Sequence, residues 1–312
     1  MDLTTRYLTL TLDSPLVASA CPLTGNVESL KRLRAAGAAA AVLPSIFEEQ
    51  IENDEMEIAR LLDFWALSTP ETNGYFPEMD SYNTGPDEYL DLIADAKREL
   101  DMPIIASLNG STLGGWLRYA GLIEQAGADA LEINISCPNV EHGHAEFAGD
   151  PSATFTVVDA VRKATSKPIL PKLSPNVTDI RVFARACEEA GADAVSLINT
   201  LVGTAIDIRT RRFRLANVTG GLSGPCIKPV ALRMVYQTAQ AVRIPVVGIG
   251  GIVTAEDAVE FLLAGATAVQ VGTGNFVNPM AAPEIVEGIK GYLAERGLNS
   301  PSDIIGKVEK AI

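Results

Sequence analysis

Eight short apolar segments recur along this chain in two alternating kinds, and no other feature restricts its fold as much. Four carry a proline at their start: SPLVAS from Ser14, MPIIAS from Met102, KPILPK from Lys167 and IPVVGI from Ile244. Four open on a Gly-Ala pair: GAAAAVLP from Gly37, GADALEIN from Gly127, GADAVSLI from Gly191 and GATAVQVG from Gly265. Proline is tolerated at the first residue of a strand, and glycine is the residue that ends a helix in the left-handed conformation. Helix-period stretches such as VESLKRLRAA (27–36) and IRVFARACEEA (180–190) lie between the members of a pair. The pattern is a βαβ unit repeated four times.

Strands this continuous in Val, Ile, Leu and Ala belong to a parallel sheet buried on both faces. Eight of them close into an α/β architecture, the TIM (β/α)8 barrel, whose chemistry collects at the C-terminal strand ends. A length of 312 residues suits one such barrel, so the expectation is a single domain over 1–312. Two segments interrupt the spacing, 48–85 after the second strand and 201–227 after the sixth. Rim insertions of that length are lids or substrate walls more than linkers. The second contains IDIRTRRFRLANV, whose period of two predicts a small hairpin, with its arginines on a solvated edge.

A net charge of -14 argues against nucleic acid or an anionic membrane as partner. The N-terminus lacks the basic start and apolar core of a signal peptide, and no apolar run reaches the length of a membrane span, so a cytoplasmic protein is expected. Cys21, Cys137, Cys187 and Cys226 are scattered without metal-ligand spacing, so neither a disulfide nor a metal site is expected.

The strand ends gather polar residues and glycines. The fourth ends in NISCPN (134–139), which places the Cys137 thiol between the amides of Asn134 and Asn139. A thiol is a proton acceptor near neutral pH where its surroundings favour the thiolate, and paired amides read the edge of a planar heterocycle. The alternative is a small buried cysteine between turn formers. The seventh and eighth strands end in GIGG (248–251) and GTGN (272–275), adjacent turns whose bare amides suit a phosphate at the usual TIM-barrel position. Lys172 interrupts the fifth strand with a charge that must meet an anion or a dipole. It can face a flavin, form an imine with a carbonyl substrate, or pair with a neighbouring carboxylate. Asn199 and Thr200 add a further amide and a hydroxyl, a neutral set suited to an uncharged cyclic amide, while His142 and His144 read as solvated loop residues.

The strings EINISCPN, KLSPNVTDI, LINTLVGTAIDI, LANVTGGLSGPCIKPVALRMVYQ, GIGGI and VGTGNF together resemble class 1 dihydroorotate dehydrogenases, and most of all their 1B branch, from about Gly127 onward. The resemblance implies oxidation of dihydroorotate to orotate on FMN within pyrimidine biosynthesis. It also implies electrons leaving through a separate iron-sulfur flavoprotein subunit to NAD, in a homodimer or heterotetramer. It makes Cys137 the base that takes the C5 proton while hydride leaves C6 for flavin N5. Asn134 would hold flavin and substrate, and Asn139, Asn199 and Thr200 the pyrimidine. Lys172, Ile198, Ser19 and Gly224 would contact the flavin, with Gly250, Gly251, Gly272 and Thr273 near its phosphate.

The first part of the chain departs from that branch. Pro44, with Ser45 beside it, stands where the branch has a flavin- and substrate-contacting lysine, and Pro77 and Glu78 stand where its substrate loop has an asparagine. Ser107 replaces a flavin-contacting asparagine, with Asn109 two residues on, and Ser45 and Ser107 are expected to contact the cofactor in place of the residues they replace. Residues 1 to about 130 instead resemble dihydroorotate dehydrogenase-like proteins in SIFEEQIENDEMEIARLL and ASLNGSTLGGW. The electron acceptor, the oligomer and the effect of the missing contacts stay open, and two alternatives remain: an FMN oxidoreductase for another cyclic amide or dihydropyrimidine, and a lyase using Lys172 as an imine former.

Overall fold

The computed structural model describes residues 2–49, 51, 86–136 and 149–309. Cys137, Asn139, His142, His144, Pro77 and Glu78 lie outside the described residues, as does most of the insertion after the second barrel strand.

The chain opens with an antiparallel hairpin that the repeat did not announce, β1 (Thr5–Tyr7) against β2 (Leu10–Leu12). Six barrel strands follow: β3 (Leu16–Ala18), β4 (Ala40–Phe47), β5 (Ile104–Asn109), β6 (Ala130–Ile133), β7 (Ile169–Leu173) and β8 (Val195–Leu197). Four short rim strands come next, β9 (Leu201–Gly203), β10 (Ile206–Asp207), β11 (Arg212–Phe213) and β12 (Gly220–Leu222). Then β13 (Val246–Ile249) and β14 (Ala268–Val271) complete the barrel, in which every pairing is parallel and β8 meets β13 to close the ring. The rim insertion forms two antiparallel pairs, β10 with β11 and β9 with β12, so the expected hairpin is present.

The helices between strands are α1 (Val27–Ala35), α2 (Asp87–Glu99), α3 (Leu113–Ala126), α4 (Pro151–Ala164), α5 (Ile180–Glu189), α6 (Lys228–Ala239) and α7 (Ala255–Ala264), followed by α8 (Thr273–Val277) and α9 (Ala281–Glu295). Side chains of Asn26, Thr112, Asp150, Asp179 and Thr254 accept the free N–H groups at five of their starts. The four Gly-Ala glycines sit where the repeat put them, just past helices. Gly37, Gly127, Gly191 and Gly265 have φ of 103°, 96°, 88° and 114°.

Period-two alternation inside the barrel explains where the site begins. Val17, Val42, Ile105, Ala130, Leu170, Ala194, Val247 and Ala268 form one inward apolar layer, sealed from below by Tyr7, Leu8 and Leu12 of the first hairpin. Two residues further along most strands the same face turns polar: Ser19, Ser107, Glu132, Lys172, Ser196 and Gln270, all buried. An apolar floor therefore carries a polar layer, and the cleft opens above it.

Strand β4 reaches its polar residue by a detour. Val42 pairs with Ile105 and Ser45 with Ser107, so three steps on β4 match two on β5, a bulge that contains Pro44. A proline lacks the N–H for a regular ladder and fits where the ladder is interrupted. The extra residue turns Ser45, rather than Pro44, toward Ser107. Past the bulge, the buried carboxylate of Glu48 accepts from the Ser111 N–H (2.5 Å), the Thr112 N–H (2.9 Å) and the Thr112 hydroxyl (2.6 Å) at the start of α3. A Cβ on Gly115 would stand 1.9 Å from that carboxyl carbon, so the glycine is required. The two N-terminal strings that set this chain apart are thus joined to each other. Pro171 on β7 lies opposite Ile133, and the ladder to β8 begins one residue later, at Lys172.

Candidate active site

Ten residues singled out in the sequence line one cleft at the C-terminal mouth of the barrel: Ser19, Lys172, Ile198, Asn199, Thr200, Gly224, Gly250, Gly251, Gly272 and Thr273. They come from five strand ends and from the rim insertion. The cavity of ≈ 310 Å³ falls within the range of small-molecule and cofactor pockets.

At one end of the cleft the backbone is bare. Gly250 and Gly251 have φ of 127° and 77°, which side chains rarely tolerate, and a Cβ on Gly251 would stand 2.9 Å from the Gly224 carbonyl oxygen. Turns this tight leave room for an anionic group to approach main-chain amides, as a phosphate-bearing ligand requires. Beside them Thr273 donates from Oγ1 to Ser223 Oγ at 3.0 Å.

At the floor, Lys172 Nζ stands 3.6 Å from Oε1 of Glu132, a carboxylate wholly withdrawn from solvent. The other oxygen, Oε2, accepts from Ser196 Oγ at 3.3 Å and from Gln270 Nε2 at 3.2 Å. Gln270 Nε2 also reaches the Tyr7 hydroxyl, at 3.5 Å. Burial first, and the Glu132 charge second, push the Tyr7 phenol far above its ordinary value, so it stays neutral. The Cys21 thiol, which also lines the cleft, is pushed up chiefly by burial, with Lys172 acting weakly the other way. Of the three roles open to Lys172, the carboxylate partner is present, and the amine faces the cleft as well.

The third part is an amide cluster against the wall formed by β4 and β5. Asn199 Nδ2 donates to Asn134 Oδ1 (3.2 Å) and Ser136 Oγ (2.9 Å), and Asn199 Oδ1 accepts the Thr200 N–H (2.8 Å). Asn134 Nδ2 donates to Ser45 Oγ (3.1 Å), which pairs with Ser107 Oγ at 2.7 Å. Asn109 Nδ2 donates to the Asn134 carbonyl at 3.1 Å. Ser45, Ser107 and Asn134 therefore join the cleft through Asn199 rather than lining it with the others. Asn109 supports Asn134 from behind. The thiol of the fourth strand end, Cys137, and its neighbour Asn139 follow directly on Ser136, outside the described residues.

The sequence profile of the dihydroorotate dehydrogenase family matches residues 65–293. The chain belongs to the dihydroorotate dehydrogenase family. It is 55% identical over 228 residues to a protein of Trichlorobacter lovleyi named dihydroorotate dehydrogenase B (NAD(+)), catalytic subunit, covering 73% of this chain and 75% of that one. A protein of the same name from Geobacter sulfurreducens is 52% identical over 242 residues, 76% of this chain and 78% of that one. A crystal structure of the Eimeria tenella enzyme in complex with ferulenol superposes with a TM-score of 0.75 over 98% of this chain and 88% of that one; at 19% identity this speaks for the fold. The family match begins at residue 65, well before Gly127, but it leaves β3 and β4, with Ser19, Pro44 and Ser45, outside it.

Dihydroorotate dehydrogenases are oxidoreductases acting on a CH–CH bond, which sets aside the reading of Lys172 as an imine-forming lyase residue. Residues the sequence reading passed over are Glu132, Ser196, Gln270 and Cys21. The first three were visible as the lone polar residue in ALEI, AVSLI and AVQVG, each in the same register as Lys172 in ILPKL. No signal marked Cys21 as a lining residue.

Proposed function

We propose that this chain oxidises dihydroorotate to orotate on FMN, as one FMN-binding unit over its whole length. The observation that carries the reading is the convergence on one cleft, in a barrel of this family, of Ser19 and nine positions that lie within the family match. The residues present fit the cofactor: glycine turns too tight for side chains suit its phosphate, and an amine backed by a carboxylate suits its ring. Ser19, Ile198 and Gly224 would hold the ring's edges, and Gly250, Gly251, Gly272 and Thr273 the phosphate end. Bound FMN supplies an acceptor for the hydride that leaves C6 of the substrate.

The chain's own residues supply the rest. Cys137 would take the C5 proton as a thiolate, so that the proton and the hydride leave together or in sequence and a C5=C6 double bond remains. Asn134, Asn199, Thr200 and Asn139 would hold the pyrimidine by its amide edge. Because Asn134 and Asn199 already fix each other, their polar atoms need little reordering when substrate binds. Ser45 and Ser107 hold the far side of Asn134.

Electrons then leave through a separate subunit. Relatives named as catalytic subunits of an NAD(+)-linked enzyme support a partner, and an iron-sulfur flavoprotein bound to a dimer of this chain, passing electrons to NAD, is the finer reading. No described helix is long and apolar enough to cross a membrane. The deciding experiment is anaerobic addition of dihydroorotate to the FMN-loaded protein: bleaching of the flavin is expected, and an unchanged spectrum overturns the reading. One observation favours a second substrate, a dihydropyrimidine without a carboxylate. Among the described residues, the wall that in the 1B branch would carry a lysine presents the Ser45 and Ser107 hydroxyls in its place. The same titration with such a compound separates the two.

A further inference from the structure

The polar layer beneath the cleft contains a group with no assigned part in the reaction. Glu132 is fully buried, and a bare carboxylate there would be costly. Its Oε2 is held by Ser196 and Gln270, whereas Oε1 has no hydrogen-bond partner and points toward Lys172 Nζ at 3.6 Å. Among the described residues it is the only carboxylate in ion-pair reach of Lys172.

The separation matters. At 3.6 Å the two groups attract strongly in a partly buried site, yet the lysine is not drawn down into a tight hydrogen bond, so its protons stay available to the cleft. Among the described residues, three other titratable groups near the site do not substitute for Glu132. The phenols of Tyr7 and Tyr89 and the thiol of Cys21 are all pushed upward mainly by burial and remain neutral.

We propose that Glu132 is a positioning residue for the flavin chemistry: anchored by Ser196 and Gln270, it holds the charged end of Lys172 in place, aimed at the ring. The inference rests on the FMN reading given above. A fixed positive charge facing the bound ring would stabilise the negative charge that the ring gains on reduction, or when an anion adds to it. Glu132 thus acts on the cofactor only through Lys172.

Sulfite, which adds reversibly to a flavin ring and bleaches its visible absorbance, reads this charge without any turnover. In FMN-loaded Glu132→Gln, sulfite affinity at neutral pH is expected to fall at least about tenfold, the scale of one unit charge no longer held a few ångströms from the ring. Lys172→Met should fall as far or further, and Glu132→Gln added to Lys172→Met should change nothing more. Unchanged or tighter sulfite binding in Glu132→Gln overturns the proposal, as does an equal loss in the Lys172→Met background. Glu132→Asp, which keeps the charge, should stay within about threefold of the parent, a residual of less than 1 kcal/mol. It carries the test should the glutamine variant not fold, and a tenfold loss in it would make shape rather than charge the cause. A parent protein that binds no FMN defeats the underlying reading itself, whereas one that binds FMN and sulfite with Glu132→Gln unaltered defeats only the role of Glu132.

Discussion

Strands β7, β8, β13 and β14 meet the cleft with an amine, an amide and tight glycine turns, whereas β4 and β5 meet it with two hydroxyls, Ser45 and Ser107, 2.7 Å apart. The first wall has charge at the floor and bare backbone at the rim, features that suit the anionic, electron-accepting ligand proposed for it. The second is neutral, shaped by a bulge at Pro44, and tied to α3 through Glu48. A barrel can vary one wall while keeping the other because each strand end contributes independently to the mouth. On the reading proposed above, the cofactor lies mainly against strands that the family match covers, and the substrate side is left to strands partly outside it.

The sharpest way to break the comparison is through the fourth strand end, which links the walls. Cys137→Ser should retain FMN and lose about 10²- to 10⁴-fold in the rate of anaerobic flavin reduction near neutral pH, the usual contribution of a positioned general base. Serine keeps the shape and is a far weaker base. Stopped-flow reduction by dihydroorotate measures it, and equal rates in variant and parent would remove the thiol from the reaction.

The next largest effect falls on the cofactor wall. Gly251→Val places a side chain at φ 77° and within 3 Å of the Lys228 backbone nitrogen and the Gly224 carbonyl. FMN affinity should drop about a hundredfold, or roughly 2.8 kcal/mol. Flavin content after purification and a fluorescence titration read it. Retained flavin in a folded variant would move the phosphate end elsewhere in the cleft.

How much of this was legible follows from period and chemistry. The barrel was readable because proline and glycine mark strand starts and helix ends, and each of the four Gly-Ala glycines proved to have positive φ. Lys172 stood out as a charge in an apolar run, yet Glu132, Ser196 and Gln270 in the same register did not, because a single glutamate, serine or glutamine in a short strand looks like an ordinary edge residue. Reading all eight strands on one inward register would have found the layer. The N-terminal hairpin escaped because Tyr7 and Leu12 follow no βαβ spacing; only the open lower end of the barrel demands such a plug. The bulge on β4 escaped for a different reason. Nothing in VLPSIF says that Ser45 rather than Pro44 turns inward until the pairing with β5 is known.

Asn199→Ala tests the seam between the walls. It removes one of two donors to Asn134 Oδ1, which keeps Ser136 Oγ at 3.2 Å, together with the Asn199 donor to Ser136 Oγ, and it leaves the Thr200 N–H without its side-chain acceptor. Leaving such groups unsatisfied costs about 1–3 kcal/mol, so orotate should bind roughly ten- to a hundredfold more weakly while flavin content stays near that of the parent. The perturbation of the flavin spectrum on orotate addition gives the affinity. A parallel loss of FMN would mean that the amide cluster supports the cofactor wall instead.

The smallest effect belongs to the neutral wall. Ser45 Oγ accepts from Asn134 Nδ2 and shares one hydrogen bond with Ser107 Oγ, so Ser45→Ala should weaken orotate binding by only about 0.5–1.5 kcal/mol, with FMN retained. Ser107→Ala breaks the same shared bond but leaves the contact to Asn134, and should cost less. Because the two hydroxyls act as one unit, the double variant should fall short of the sum of the single effects. Additive losses in orotate titrations would mean that each serine meets the ligand separately. No loss in either would reduce this wall to scaffold, and the discrimination between dihydroorotate and a carboxylate-free dihydropyrimidine would then have to come from the other side of the cleft.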